Sequence, residues 1–131
     1  MVLVDTSVWV EHLRQGHARL AGMLVQASVL MHPFVAGELA CGNLKNRAAI
    51  LGELSALPSA TRASDDEVLQ LIENHRLSGR GIGWIDAHLL TSALLSNCRF
   101  WTLDKKLDEA AREAGIRRLI PAEQRTRRTP G

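Results

Sequence analysis

Short apolar runs alternate with longer amphipathic stretches along this chain, and that alternation indicates its fold class. VLV at 2–4 is bounded by polar residues and is too short for a helix, which suits a strand buried on both faces. From Ser7 to Arg14 the apolar Val8, Trp9 and Leu13 recur at helical spacing, with Thr6 or Ser7 able to cap and Gly16 to stop the run. A second helix fits 17–26 on Leu20, Leu24 and Val25. SVLMH at 28–32 reads as a second strand, and Pro33 can start the next helix because its missing N–H is not needed in a first turn. KNRAAILGELSAL at 45–57 is again amphipathic, and a short extended piece follows around PSATR. SDDEVLQLIENHRL has a strong helix start, with Ser64 as cap, Glu67 at the capping-box position and three acids in the first turn. After the flexible loop GRGIG at 79–83, WIDAHLLTSALL is mostly apolar and therefore a buried helix. CRFWTL at 98–103 is a strand ended by Asp104, DKKLDEAAREAG is a charged surface helix closed by Gly115, and RRLI gives a last short strand.

Strands separated by helices imply an α/β fold with a mainly parallel sheet and helices on both faces. No internal repeat, linker or low-complexity segment interrupts the pattern. One domain is expected over residues 1–120, with 121–131 a basic tail. In such folds the ligand crevice lies outside the carboxyl ends of the strands, where the strand order reverses. Asp5 and Asp104 both fall at strand C-termini and so are expected to face one crevice.

Composition narrows the class without naming a chemistry. A chain of 131 residues is long enough to bury a core without staples. No apolar run approaches the ~20 residues that span a bilayer, and no signal peptide precedes the first strand, so a cytoplasmic protein with no membrane partner is expected. Cys41 and Cys98 have no metal-like spacing and read as buried small hydrophobes in a reducing compartment. The net charge of +2 comes from Arg125, Arg127 and Arg128 against Glu123 in the tail, and the rest of the chain is neutral. Such a tail is either a phosphate contact or a solvated end.

The acids carry more information. Of the 14, most lie on polar helix faces or in first turns, where solvation or the helix dipole accounts for them. Asp5, Glu38 in PFVAGELACG, Asp86 in WIDAHLL and Asp104 after FWTL are instead set among apolar neighbours. Each alone also admits a structural role, as a helix cap or an acceptor for backbone N–H groups. Together they would repel one another unless protonated or neutralised by a cation, and an all-oxygen site suits Mg²⁺ or Mn²⁺, not zinc.

VDTSVWV, GEL, WIDAHLL and WTLDKKL, in this order and spacing over residues 2–120, resemble the PIN-domain nucleases, in particular the small VapC-type toxins of bacterial toxin–antitoxin pairs. The resemblance implies a three-layer α/β/α fold and a metal-dependent endoribonuclease. It makes Asp5, Glu38, Asp86 and Asp104 the acidic quartet that holds one or two Mg²⁺ or Mn²⁺ ions. Thr6, Ser7 and Thr102 match hydroxyl positions that orient a carboxylate or a metal-bound water, although helix capping and strand-end bonding explain them equally well. It also implies an RNA substrate, a homodimer and a cognate antitoxin protein, for which Trp9 and Leu13 are possible contacts. Arg14, Arg80 and Arg99 are candidates by position for RNA phosphates.

The residue types fit that chemistry. A phosphodiester is anionic and resists attack, so a divalent ion must neutralise developing charge and activate a water. One ion with a carboxylate as general base, or two ions, would serve. Asp108 lies one turn after Asp104 and is a possible fifth ligand, or a surface residue paired with Lys105 or Arg112. The five histidines are scattered and read as structural or surface residues. Two other readings compete: a phosphohydrolase of another α/β family, which would want an acid where Ser7 stands, and a non-catalytic PIN-like binding module.

Overall fold

The computed structural model describes residues 1–119; the basic tail lies outside the described residues. Strand β1 (Val2–Val4) is central, flanked by β2 (Val29–Leu30) on one side and β3 (Arg99–Trp101) on the other. Both pairings are parallel, with Leu3 opposite Leu30 and Phe100. Single bridges extend the sheet at each edge, Met31 with Ser59 and Phe100 with Arg118. The extended pieces expected around PSATR and RRLI are therefore one-residue contacts, not strands of the usual length.

Among the described residues seven helices surround the sheet: α1 (Thr6–Gln15), α2 (Ala18–Val25), α3 (Pro33–Cys41), α4 (Arg47–Ser55), α5 (Asp65–His75), α6 (Trp84–Leu95) and α7 (Lys105–Glu113). Their sequence signals act as expected at most ends. Pro33 occupies the first turn of α3, and Ser64 and Glu67 form a reciprocal capping box on α5. The cap of α1 differs from the expected Thr6 or Ser7: Asp5, extended at φ −70° and ψ 156°, is the N-cap. Strand β1 has the expected bounds, and the helix starts one residue earlier than expected because Asp5, whose N–H still bonds the Trp101 carbonyl, already serves α1 with its side chain.

The arrangement is the three-layer α/β/α sandwich. The core is continuous, running from fully buried Leu3, Val4 and Phe100 in the sheet to Val8, Leu20, Val35, Leu89, Leu90 and Leu107 on the helices. Trp9 is buried in it, and Leu13 packs partly against it. Cys98 is buried as expected, whereas Cys41, at the last position of α3, is exposed. Among the described residues no helix is long and apolar enough to cross a membrane.

Two buried histidines brace the carboxyl end of the sheet. His32 caps α3 through Nδ1, which accepts from the Phe34 N–H, and its Nε2 meets Ser92 Oγ at 3.0 Å. Burial first, then the neighbouring His88 and Arg62, lower its pKa to about 4, so it is neutral near pH 7. His88 packs between the rings of Phe34 and Trp84. Its Nε2 lies 3.2 Å from Asp65 Oδ1 without hydrogen-bond geometry, so we count this as proximity only.

Candidate metal centre

Parallel pairing brings the carboxyl ends of all three strands to one edge, and the order β2-β1-β3 opens a crevice there beside β1. Asp5 ends β1 and Asp104 follows β3, as N-caps of α1 and α7. Each thus combines a helix-capping role with a place at the crevice. Glu38 is on α3, and Asp86 is in the first turn of α6.

Hydrogen bonds set each carboxylate. The Ser7 and Thr102 hydroxyls each donate to Asp5 Oδ2 at 2.7 Å, and the Ser7 N–H approaches it at 3.4 Å. Asp5 is 6% exposed, and these donors offset part of the cost of burying its charge. The Thr6 hydroxyl donates to Glu38 Oε1 at 2.9 Å, tying α1 to α3. Gly83 N–H donates to Asp86 Oδ2 at 3.1 Å, and the Lys106 and Leu107 N–H groups donate to Asp104 Oδ1 at 2.9 and 3.3 Å. One pattern repeats four times: one oxygen of each carboxylate takes all its hydrogen-bond donors, and among the described residues the other has none.

Among the described residues no cationic side chain pairs with these charges; the pairs that do form are Arg80–Glu113, Arg112–Glu109 and Arg118–Asp108. The acids do act on one another. Burial raises the Asp86 pKa above the ordinary carboxylate range, the Gly83 N–H opposes this, and Asp5, Asp104 and Glu38 each push it higher. All four therefore share one electrostatic site. Among the described residues they are not drawn into a group tight enough to enclose an ion. Like charges oppose closer approach, and exposed Glu38 and Asp104 have room to rotate.

The hydroxyls expected near the acids are all placed there: Ser7 and Thr102 on Asp5, Thr6 on Glu38. The arginines fare differently. Arg14 lines a cavity of about 400 Å³ with Glu38, Val10, Leu13, Lys45 and Ile50, adjoining the crevice. Arg80 is paired with Glu113 at the far end of α7. Arg99 starts β3 and so stands at the opposite edge of the sheet from Asp5. Asp108 pairs with Arg118 at 2.9 Å, neither with Lys105 nor with Arg112. The long-range arginine pairings had no local signal in the sequence. The Gly83 N–H that holds Asp86 was legible in principle, since an acid at the third helical position after a glycine cap is a capping pattern.

The GRGIG loop is more tied down than its glycines suggest. Gly79 and Gly81 have φ of 73° and 81°, the left-handed region that favours glycine. A Cβ on Gly81 would sit 2.9 Å from Lys106 Cδ, so the α7 side chain lies across the loop that supplies Gly83.

Known proteins share the sequence pattern and the fold. A family model described as the PIN domain matches residues 2–113. Ribonuclease VapC32 of Mycobacterium tuberculosis, from the CDC 1551 / Oshkosh and H37Rv strains, is 47% identical over 117 residues, covering 88% of this chain and 94% of the relative. Among solved structures, FitAcB from Neisseria gonorrhoeae superposes with a TM-score of 0.66 at 19% identity, covering 92% of this chain and 98% of that one. PAE2754 from Pyrobaculum aerophilum gives 0.59 at 19% identity, covering 89% and 82%. At that identity the two structures speak for the fold alone. With a matching fold, a PIN-domain match over residues 2–113 and 47% identity over 117 residues to a VapC ribonuclease, this chain belongs to the PIN-domain family, in its VapC branch.

Proposed function

We propose that the protein is a divalent-metal-dependent endoribonuclease that hydrolyses RNA phosphodiester bonds as the toxin of a toxin–antitoxin pair. The observation that carries the metal site is the fourfold pattern at the crevice: carboxylates with one oxygen held by hydrogen-bond donors and, among the described residues, the other unpartnered and no cationic side chain in reply. Asp5, Glu38, Asp86 and Asp104 would hold one or two Mg²⁺ or Mn²⁺ ions, since hard cations take oxygen ligands. When bound, the metal supplies charge neutralisation to the phosphodiester and lowers the pKa of coordinated water.

The chain's own residues do the positioning. Ser7 and Thr102 fix Asp5 so that Oδ1 is presented, and Thr6 does the same for Glu38. Burial, and then the charges of Asp5, Asp104 and Glu38, raise the Asp86 pKa, so a cation in the crevice would favour its ionised form. Arg14, on the cavity wall beside Glu38, is the remaining arginine placed to meet an RNA phosphate. The nuclease unit spans 1–120 and carries a basic tail. A homodimer and a small antitoxin protein complete the reading, by likeness to the VapC branch.

Incubation of the pure protein with structured and single-stranded RNA tests the activity. Cleavage with Mg²⁺ or Mn²⁺ that stops with EDTA and falls at least about 100-fold in Asp5→Asn is expected. Cleavage that survives the chelator or the substitution undiminished would overturn the metal assignment. Expression without a partner protein tests the toxin role, and a host that grows normally argues against it.

A further inference from the structure

One exposed aromatic, at the start of α6, has no part in the chemistry proposed for the four acids. Trp84 opens α6 next to Gly83, whose N–H holds Asp86, and it is 42% exposed, whereas Trp9 and Trp101 are 2% and 4% exposed. A large apolar side chain at the first position of a helix has the whole solvent side to turn to, yet Trp84 is braced. Its ring meets His88 one turn on, at 4.7 Å between centroids and 85° between planes. His88 in turn meets Phe34 at 4.9 Å, and the Arg62 guanidinium lies 4.9 Å over Phe34. An edge-to-face contact with His88 uses at most one indole face, and the exposure shows that solvent reaches the rest.

The row reaches the acids through α3: Phe34 lies four residues before Glu38, hence on the same face one turn away. Trp84, two residues before Asp86, leaves α6 on the other side from that carboxylate and joins the row through His88. His88, buried at 1% exposure, fixes the indole against the core, so little ordering remains to be lost when a ligand covers it. Arg62, itself exposed, adds a positive charge on the far flank of the same aromatic row. Braced aromatics with a free face and a neighbouring cation are how proteins seat unpaired bases, because every base has a π-face to stack.

We propose that Trp84 is a stacking site for an unpaired nucleobase of the RNA, next to the phosphodiester held at the acidic crevice. This rests on the ribonuclease reading for its substrate, but binding and cleavage are read separately. Trp84 is the exposed indole among three, so its fluorescence reports occupancy directly. Stopped-flow mixing of the wild-type protein in Mg²⁺ with a single-stranded RNA oligonucleotide is expected to quench the emission, with a duplex of the same sequence quenching much less. Trp84→Phe should abolish the quench while keeping cleavage within roughly threefold, because a π-face remains. Trp84→Leu, which keeps apolar bulk and removes the π-face, should raise KM roughly 5- to 100-fold with kcat changed little. Quenching without cleavage upholds the stacking site and overturns the ribonuclease reading. Cleavage without quenching, or a KM unmoved in Trp84→Leu, overturns the stacking site alone. The wild-type quench needs no variant, so a Trp84→Leu protein that fails to fold does not blunt the test.

Discussion

At the scale of single residues, the two hydroxyls on Asp5 distinguish positioning from capping. Ser7 belongs to α1 and lies near its start, so its hydroxyl has a local explanation. Thr102 has none: it comes from the end of β3, ninety-seven residues away in sequence, and donates to the same Oδ2 at 2.7 Å. Thr102→Val keeps the shape and removes that donor. Activity is expected to drop roughly 10- to 100-fold, with the loss in metal affinity, because outer hydrogen bonds orient a ligating carboxylate. A Mg²⁺ titration of cleavage checks it, and an unchanged half-saturation point would leave Thr102 a strand-end residue only.

Asp86 calls for the opposite experiment. Its raised pKa means the folded state binds its proton more tightly than the unfolded chain does. The sign follows: below the ordinary aspartate range the group costs nothing, and as pH rises through the raised folded value the ionised carboxylate destabilises the fold. Asp86→Asn removes that charge. In metal-free buffer it should raise stability by roughly 0.5–2 kcal/mol near pH 7, with the gain fading below about pH 4, while abolishing cleavage. Thermal melts across pH measure this. A variant less stable than the wild type at pH 7 and unchanged in its pH profile would show that burial and repulsion do not dominate at Asp86. The four acids were legible in the sequence because their apolar settings left no cheap explanation. Arg80 was not, since nothing within a few residues of it announces Glu113.

At the scale of elements, helices were easier to read than strands for a physical reason. An amphipathic face, a Ser-x-x-Glu start or a proline at the first position is local chemistry, and α3 and α5 follow it closely. A strand edge depends on what lies beside it. The stretches around Ser59 and Arg118 each pair with a single residue of the sheet, Met31 and Phe100, which exchanges backbone hydrogen bonds with the residues on either side. The loop between α5 and α6 shows the same dependence. Its glycines read as flexibility, and the reason for one of them is on α7: Lys106 occupies the space a Cβ on Gly81 would need. Gly81→Ala combines a left-handed backbone with that contact and should destabilise the protein by about 1–3 kcal/mol. Denaturant melts give the value. A loss below about 0.5 kcal/mol would mean that the Lys106 side chain and the loop yield freely, and that α7 does not hold the turn that carries Gly83.

At the scale of the whole molecule, the sheet, the caps and the unanswered charges form one argument. Parallel strands of order β2-β1-β3 deliver Asp5 and Asp104 to one edge, and α3 and α6 bring Glu38 and Asp86 to it. The fold thus concentrates negative charge that it does not neutralise with its own lysines and arginines among the described residues. A ligand that neutralises it binds the folded chain and not the unfolded one, so stability must rise with ligand concentration. At about 100 times its dissociation constant, Mg²⁺ or Mn²⁺ should add ~2.7 kcal/mol, or about 10 °C in Tm for a chain of this size. NaCl at matched ionic strength should give far less, because screening weakens repulsion without filling the site. Asp5→Asn and Asp86→Asn should each lose most of the metal-dependent rise, even though the second starts from a more stable protein. Equal shifts with NaCl and MgCl₂, or a full shift in both variants, would place the cation's effect outside the crevice and remove the reason for the four charges to be there.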